Sequence, residues 1–538
     1  MIRRFGIAGL VAMVLLGAVV VSLILFTIML GPARAMNIAA AAALSTTVDG
    51  LAEDPGPHCI PVLDLAVDPA ALDSLQLDLP WSGGANVRAL LHENDIDHKV
   101  KFRYRGVFTP SHFLGGKKSF RLAMKSTNPW SPYRRVNVIN PKAFNLVNDH
   151  MAAWVAGSMG VPVPMNEMVL VRINGEDQGV MELFEQVDGD FERNRHLAQH
   201  EVPVYKGDYP PVTERALPKG RTLWQSAAHW EYASDADSTI AHAKLVRLVA
   251  ALVRDTASVA THRDSIAKLV DVDAFLRYQA ALVVINSIHI DQYHNQWLVL
   301  DPRTGRFYPV LWDALLMFAP ADEGLYSVHD ALEWWMLRVP EWRLQRDRYV
   351  YEALLVLQRE GSFDARLNMV IERISPSVLA DRNKFGNVTL SPEDVHRFSV
   401  VHVISSLAGF RGSVHAYWER TLARMEATDV AVERGSVLRL RTTTEAPLRL
   451  SWIYPWEAGS VGVSVNGKTV EALWNGSEYT VVLQRTLAPA PGSKDHPLAD
   501  KQCMIVEPLD ATVSFSQGIP ADLRITNAIT DEAITSRP

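Results

Sequence analysis

Residues 285–316 read INSIHIDQYHNQWLVLDPRTGRFYPVLWDALL. An apolar, helix-like run ends at Asp291. Asn295 follows, then two apolar strand-like runs around a turn, and then Asp313 beside Trp312. Asp301-Pro302-Arg303-Thr304-Gly305 has turn chemistry, because proline pre-sets one bend angle and glycine tolerates positive φ. Trp297–Leu300 and Arg306–Leu311 therefore pair as an antiparallel hairpin. A bend near Arg303 and Thr304 puts Asp313 opposite His294, and paired Cα atoms lie only about 5 Å apart. The open end of the hairpin thus gathers Asp291, Asn295 and Asp313. Two neighbouring carboxylates repel unless a cation or a shared proton intervenes. A carboxylate with an amide suits Mg²⁺ better than zinc. The alternative is that these are ordinary polar residues at a strand end.

The chain has 538 residues, 48% of them hydrophobic, which suggests roughly two to four domains with substantial cores. A net charge of −7, spread through the sequence, gives no electrostatic case for nucleic acid. Two cysteines, Cys59 and Cys503, exclude a cysteine-rich zinc module or a disulfide scaffold, and leave one bridge open. "MIRR" precedes an uncharged stretch, Phe5–Leu30, long enough to cross a hydrocarbon core that needs about 20 residues. Arginines before it and a long chain after it predict a single-pass anchor in the cell membrane, with a cytoplasmic N-terminus and an extracytoplasmic bulk. A cleaved signal peptide ending near Ala33-Arg34-Ala35 is the rival, although signal h-regions span only about 7–15 residues.

Residues 1–35 are thus the anchor or signal, and 36–57, rich in alanine and threonine, a tether. The stretch 58–428 is mixed α and β. "VPVLDLAVD", "VRALLHENDIDHKVKFRYRGV" and "KKSFRLAMK" read as strands, with "PAALDSL" as a short helix. A helix is expected over Ala143–Ser158, and a hairpin turns at Asn174-Gly175. Residues 241–290 are mainly helical, with Asp271 or Asp273 as N-cap, and Trp334 and Trp335 suit a core. Short strand-like runs make 430–525 a β-sandwich-like module, followed by a tail, 526–538. The fold class is α+β.

Four pieces, "RYRG…GGKKSFRL", "VRINGEDQGVMELFEQVD", "IDQYHN" and "VLWD", stand in an order and spacing that resembles the CotH kinase family. The resemblance is clear over residues 60–318. It implies an atypical protein-kinase-like fold that passes phosphate from ATP to a protein, here one at the cell surface, with Mg²⁺ or Mn²⁺. Phosphoryl transfer needs a cation on the phosphates, an acid to hold it, metal ligands, and a carboxylate for the acceptor hydroxyl. The resemblance implies Asp291 as the catalytic acid and Asn295 and Asp313 as metal-side residues. It implies a nucleotide-binding lysine, Lys118 with Lys117 in reserve, held by Glu185, with Arg103, Arg105 and Arg121 as further phosphate or salt-bridge candidates. Lys118 is preferred because it shares a strand face with Phe120 and Leu122.

Two departures stand out. "VFTPSHFLGG" replaces the family's Gly-Asn-Ser run, and Leu315 replaces the second acid of its Trp-Asp-x-Asp motif. The sequence therefore also permits a pseudokinase that serves as a surface scaffold, or transfer of a different group. Carbohydrate binding through Trp452, Tyr454 and Trp456 is a further alternative.

Overall fold

The computed structural model describes residues 58–538 except 78, 80–84, 94–95, 107–116, 126–132, 142, 209–221, 254–257, 288, 315–323, 388–394, 398, 454–461, 499–501, 535 and 538. The expected membrane helix and tether, and the residues named at Leu315, Tyr454 and Trp456, lie outside the described residues. Among the described residues, no helix is long and apolar enough to cross a membrane.

Alternating strands build the first lobe. Its strands are β1 (Val62–Val67), β2 (Val87–Glu93), β3 (Ile96–Tyr104), β4 (Phe120–Met124), β5 (Arg135–Ile139), β6 (Asn166–Ile173) and β7 (Glu176–Glu185). They close into a barrel in the order β1-β2-β3-β4-β5-β7-β6, with β1 and β6 parallel at the seam. Phe102, Tyr104, Phe120, Leu122, Val136, Val138, Met181 and Leu183 fill the interior. Because successive side chains point to opposite faces, Arg103, Arg121 and Asn137, in register across β3, β4 and β5, lie outside. The β6–β7 turn has Asn174 and Gly175 at φ 54° and 79°, the left-handed pair that a tight hairpin needs. Helix α1 (Pro69–Leu77) lies between β1 and β2. Helix α2 (Asn148–Ser158) starts later than expected, because residues 143–146 form a turn closed by Leu146 N donating to Ala143 O at 3.0 Å.

The second lobe is mainly helical: α3 (Thr239–Val253), α4 (Val259–Leu269), α5 (Val272–Ile285), α6 (Ala331–Leu337), α7 (Pro340–Leu354), α8 (Ser362–Ala380) and α9 (Val400–Glu426). Asp271 is the N-cap of α5, its side chain accepting from Ala274 N at 3.1 Å. Trp334 and Trp335 pack in this core, as expected. A four-stranded sheet faces the barrel, made of β8 (Val204–Gly207), β9 (Glu231–Tyr232), β10 (Gln296–Leu300) and β11 (Phe307–Pro309) in the order β11-β10-β8-β9. Ile139 and Phe184 from the barrel's outer face pack with Val204, Val299, Val310 and Trp312, joining the two lobes.

After Val430, sheets of six and four strands enclose Leu440, Leu450, Trp452 and Val513. Trp452 has no exposed surface, so it belongs to the sandwich core and not to an exposed aromatic row. Between its strands Tyr479–Leu483 and Leu509–Phe515, the sandwich sends out a hairpin, Leu487–Pro489 with Gln502–Val506. That hairpin pairs with β12 (Ser327–Val328) of the helical lobe. The segment expected as a tail is held down. Ala528 and Ile529 are buried, and Ser536–Arg537 pairs in parallel with Val430–Ala431. Cys59 and Cys503 remain thiols, with no bridge between them.

Candidate active site

Helix α5 stops at Ile285, where Asn286 takes the left-handed conformation at φ 48° and closes the last turn. Asp291 therefore sits in a loop and not at the end of the helix. The hairpin pairs Leu298 with Pro309 and Leu300 with Phe307, and Val310 N donates to Trp297 O at 3.1 Å. Leu311 N turns instead to Pro162 O, so the expected pairing of Asp313 with His294 lies beyond the ladder. Asn295 and Asp313 both adopt left-handed backbone, at φ 61° and 52°. Asparagine and aspartate tolerate this region better than most residues, and such conformations gather at functional sites.

Each of the three side chains is fixed by neighbours. Asp291 Oδ1 accepts from the amides of Tyr293 (2.7 Å) and His294 (2.9 Å), and the His294 ring lies 3.1 Å away. Burial alone would raise the Asp291 carboxyl, but the His294 hydrogen bond and charge, with those two amides, hold it below its usual value. His294 is raised in return, mainly by its bond to Asp291. Asn295 donates from Nδ2 to His289 O at 2.8 Å and lies 3.2 Å from His289 Nδ1. The same ring nitrogen donates to Asp313 O at 2.7 Å and stands 3.4 Å from Asp313 Oδ2. One histidine atom thus gathers the two metal-side residues. His289 and His294 serve as hydrogen-bonding partners, as a loop position suggests.

Across the cleft stand arginines. Arg105 lies over the Trp312 ring at 5.7 Å, and its guanidinium feels Asp313 and Asp208. Burial, opposed by these carboxylates, lowers it to about 10. Arg121 donates to Asn137 Oδ1 at 2.9 Å and Gln186 Oε1 at 2.6 Å. Burial, with Arg105, Arg103 and Arg135 nearby, pushes Arg121 down to about 9, so it stays charged at neutral pH. Arg121 itself is held by neutral amides, with Asp188 the carboxylate that acts on it, and like charges gathered in this way suit an anion.

The structure redistributes the remaining residues. The strand face that Lys118 shares with Phe120 and Leu122 is the barrel interior, so the cation of β4 that faces the cleft is Arg121. Lys118 sits 5.9 Å from the Tyr104 ring, where burial lowers its pKa. Lys117 is fully buried and pairs with Asp381 at 2.9 Å. Glu185 pairs with Arg195 at 2.7 Å and also accepts from Asn194 and Met165 N, so it does not hold a strand lysine. Glu182 lies on the other face of β7, as a regular strand requires, and accepts from His150 N.

Asp208 was not legible as a site residue, and His289 was legible only as a hydrogen-bonded packing residue beside Asp291. Asp208 follows β8, accepts from Asn295 N at 3.1 Å and pairs with Lys206. The apolar run "VPVYKGD" ending in Gly-Asp was the available signal. Among the described residues, no three His, Cys, Asp or Glu side chains converge closely enough to hold a metal by themselves. The donor set at Asn295 and Asp313 still fits Mg²⁺, which is commonly held by one or two carboxylates with phosphate oxygens and water.

Comparison with known proteins bears on this arrangement. The inner spore coat protein H of Bacillus subtilis (strain 168) is 23% identical over 341 residues, spanning 61% of this chain and 91% of that protein. A solved complex of HipA, HipB and operator DNA from the Shewanella oneidensis MR-1 toxin–antitoxin system covers 66% of this chain and 71% of its own, at 12% identity and a TM-score of 0.28. A likeness that loose carries no argument. The family model described as CotH kinase protein matches residues 102–399, which hold the barrel's arginines, the hairpin and Asp381 alike, and the chain belongs to that family.

Proposed function

We propose that the protein is a surface kinase that moves the γ-phosphoryl group of ATP to a hydroxyl of a protein substrate outside the cytoplasm. The observation that carries this reading is charge placement. Asp313 acts on the Arg105 guanidinium, Arg105 acts in turn on Arg121, and His289 ties Asp313 to Asn295 in the loop that carries Asp291. Arginines suit phosphate oxygens, because the planar fork donates in pairs. Arg121 and Arg105 would bind the phosphates. Asn295 and Asp313 would hold Mg²⁺ or Mn²⁺, which would supply positive charge against the phosphates. Asp291, kept ionised by His294, would accept the hydrogen bond of the acceptor hydroxyl and orient it. In the same reading Phe5–Leu30 anchors the chain in the bilayer, with its N-terminus cytoplasmic and its catalytic domain outside.

The test uses the chain from Met36 onward with Mg²⁺ and labelled ATP. Asp291→Asn should bind nucleotide nearly as the parent does and transfer nothing, because its work is done on the hydroxyl in the transition state. Asp313→Asn should weaken Mg²⁺-dependent nucleotide binding by about tenfold or more, since a charged ligand becomes neutral. Failure of the parent protein to bind Mg²⁺-nucleotide at millimolar concentration would sink the reading. Leu315, where the family carries an acid, favours a second one: a degenerate kinase that serves as a surface scaffold. A silent parent that gains activity as Leu315→Asp would establish that second reading.

A further inference from the structure

The sandwich's hairpin, Leu487–Pro489 with Gln502–Val506, ends beside the loop that carries Asp291. It is bound firmly to the helical lobe. Leu487 and Met504 are buried in that lobe's core. Cys503 pairs with Ser327, and Met504 N donates to Tyr326 O at 3.1 Å. Asp495 forms an ion pair with Arg338, whose guanidinium stacks 3.8 Å over Trp334.

Two routes run from the hairpin to the site. The first is direct. Gln292, next in sequence to Asp291 and 2% exposed, donates from Nε2 to Pro497 O at 3.1 Å. Its own carbonyl accepts from Leu223 N at 2.9 Å, so the residue is held at both ends. The second passes through β12. The next residue, His329, bonds Glu333 through Nδ1 at 2.8 Å and donates from Nε2 to Ser287 O at 3.1 Å. Ser287 Oγ donates to Ala314 O, beside Asp313, and accepts from His289 N at 3.3 Å. One route backs Asp291, and the other backs Asp313 and His289.

We propose that this hairpin of the C-terminal module is a positioning element of the catalytic loop, acting on Asp291 through Gln292 and on Asp313 through His329 and Ser287. The sandwich is then a working part of the kinase domain and not an appended module. Groups that orient first-contact residues commonly matter by about 10- to 100-fold when removed, and small displacements of a reacting group cost as much. The catalytic consequence rests on the kinase reading above. The mechanical coupling does not.

The experiment compares the chain from Met36 onward with its Gln292→Met variant, which keeps length and apolar burial and loses the donor. Amide hydrogen exchange over residues 289–295 should speed by about tenfold or more, while exchange in α5 stays unchanged. The phosphoryl-transfer rate should fall by about tenfold, with nucleotide affinity within about twofold of the parent. Asp495→Ala, at the exposed end of the hairpin, should speed exchange in the same segment by a smaller factor, and it serves if Gln292→Met fails to fold. A parent with no transferase activity would defeat the kinase reading, and the exchange comparison would still decide the coupling. Unchanged exchange over 289–295 in both variants would overturn the proposal.

Discussion

Lys117 and Asp381 are exposed by no more than 1% at their side chains, and their charges meet at 2.9 Å. Asp381 Oδ2 also accepts from Val180 N at 3.0 Å, so the carboxylate ties the end of α8 to β7 of the barrel. Gly179 makes room for it. A Cβ at that position would run into the Asp381 carboxylate, and its φ of 93° is one that L side chains rarely adopt. Removing one member of a buried pair strands the other charge, at about 3–5 kcal/mol. Lys117→Ala should therefore lower stability by roughly 3 kcal/mol, read as a shift in the urea midpoint, and Gly179→Ala should lower it as well. Lys118→Ala should leave the midpoint nearly in place. Loss of nucleotide binding in Lys117→Ala, with stability intact, would instead give Lys117 a role on the phosphates.

At the scale of elements, β12 and α6 place the nearly buried His329 between the Glu333 carboxylate and the Ser287 carbonyl, just before the loop that carries Asp291. Burial alone would push His329 down, but the Glu333 carboxylate and the Ser287 carbonyl hold it up at about 9. An unfolded histidine titrates near pH ~6.5. Between about 6.5 and about 9 the folded chain keeps a proton that the unfolded chain has released. This contribution is therefore complete below the lower value and lost as pH rises through about 9. Its size is roughly 3 kcal/mol, taken as an order of magnitude. Asp330, the N-cap of α6, is pushed up to about 7 by burial and by Glu333, and it adds a loss of the same sign at lower pH. The thermal midpoint should fall from about pH 6 to about pH 9.5, and His329→Gln should flatten the upper part of that fall. A midpoint that rises over this range would refute the assignment.

At the scale of the whole molecule, there are three large cores: the barrel interior, the helical lobe and the sandwich. The apolar cluster of Phe184, Trp297 and Trp312 joins barrel to sheet, and it sets the distance between arginines and carboxylates. The charge-free stretch Phe5–Leu30 belongs to this scale too, because the proposed anchoring would set the compartment of the site. N-terminal sequencing of membrane-extracted protein should find residues before Met36. Mature protein that begins at Met36 in the soluble fraction would show a cleaved signal instead.

Local pattern was enough for the elements and for one edge of the site. The alternation in "KKSFRLAMK", the Asn174-Gly175 turn and the Asp301–Gly305 turn each follow from backbone preferences of a few adjacent residues. The register that sets Leu298 opposite Pro309 and Leu300 opposite Phe307 is fixed by turn length, which is itself local. The motif order was enough for the family, since the residues quoted for it fall within or close beside the matched region. What no local pattern contains is which face of a strand is the inside. Parity placed Lys118 with Phe120 and Leu122 correctly, but only closure of the barrel made that face an apolar interior and turned Arg121 to the cleft. Partners distant in sequence were equally out of reach. Asp381 claims Lys117 across 264 positions, Arg195 claims Glu185 from beyond the hairpin, and Pro497 reaches Gln292 across 205. A charge takes whichever counter-charge the packed chain brings within a few ångströms, and in a low-dielectric interior that choice is strong. Tertiary packing, not sequence spacing, therefore chose the partners of Lys117, Glu185 and Gln292.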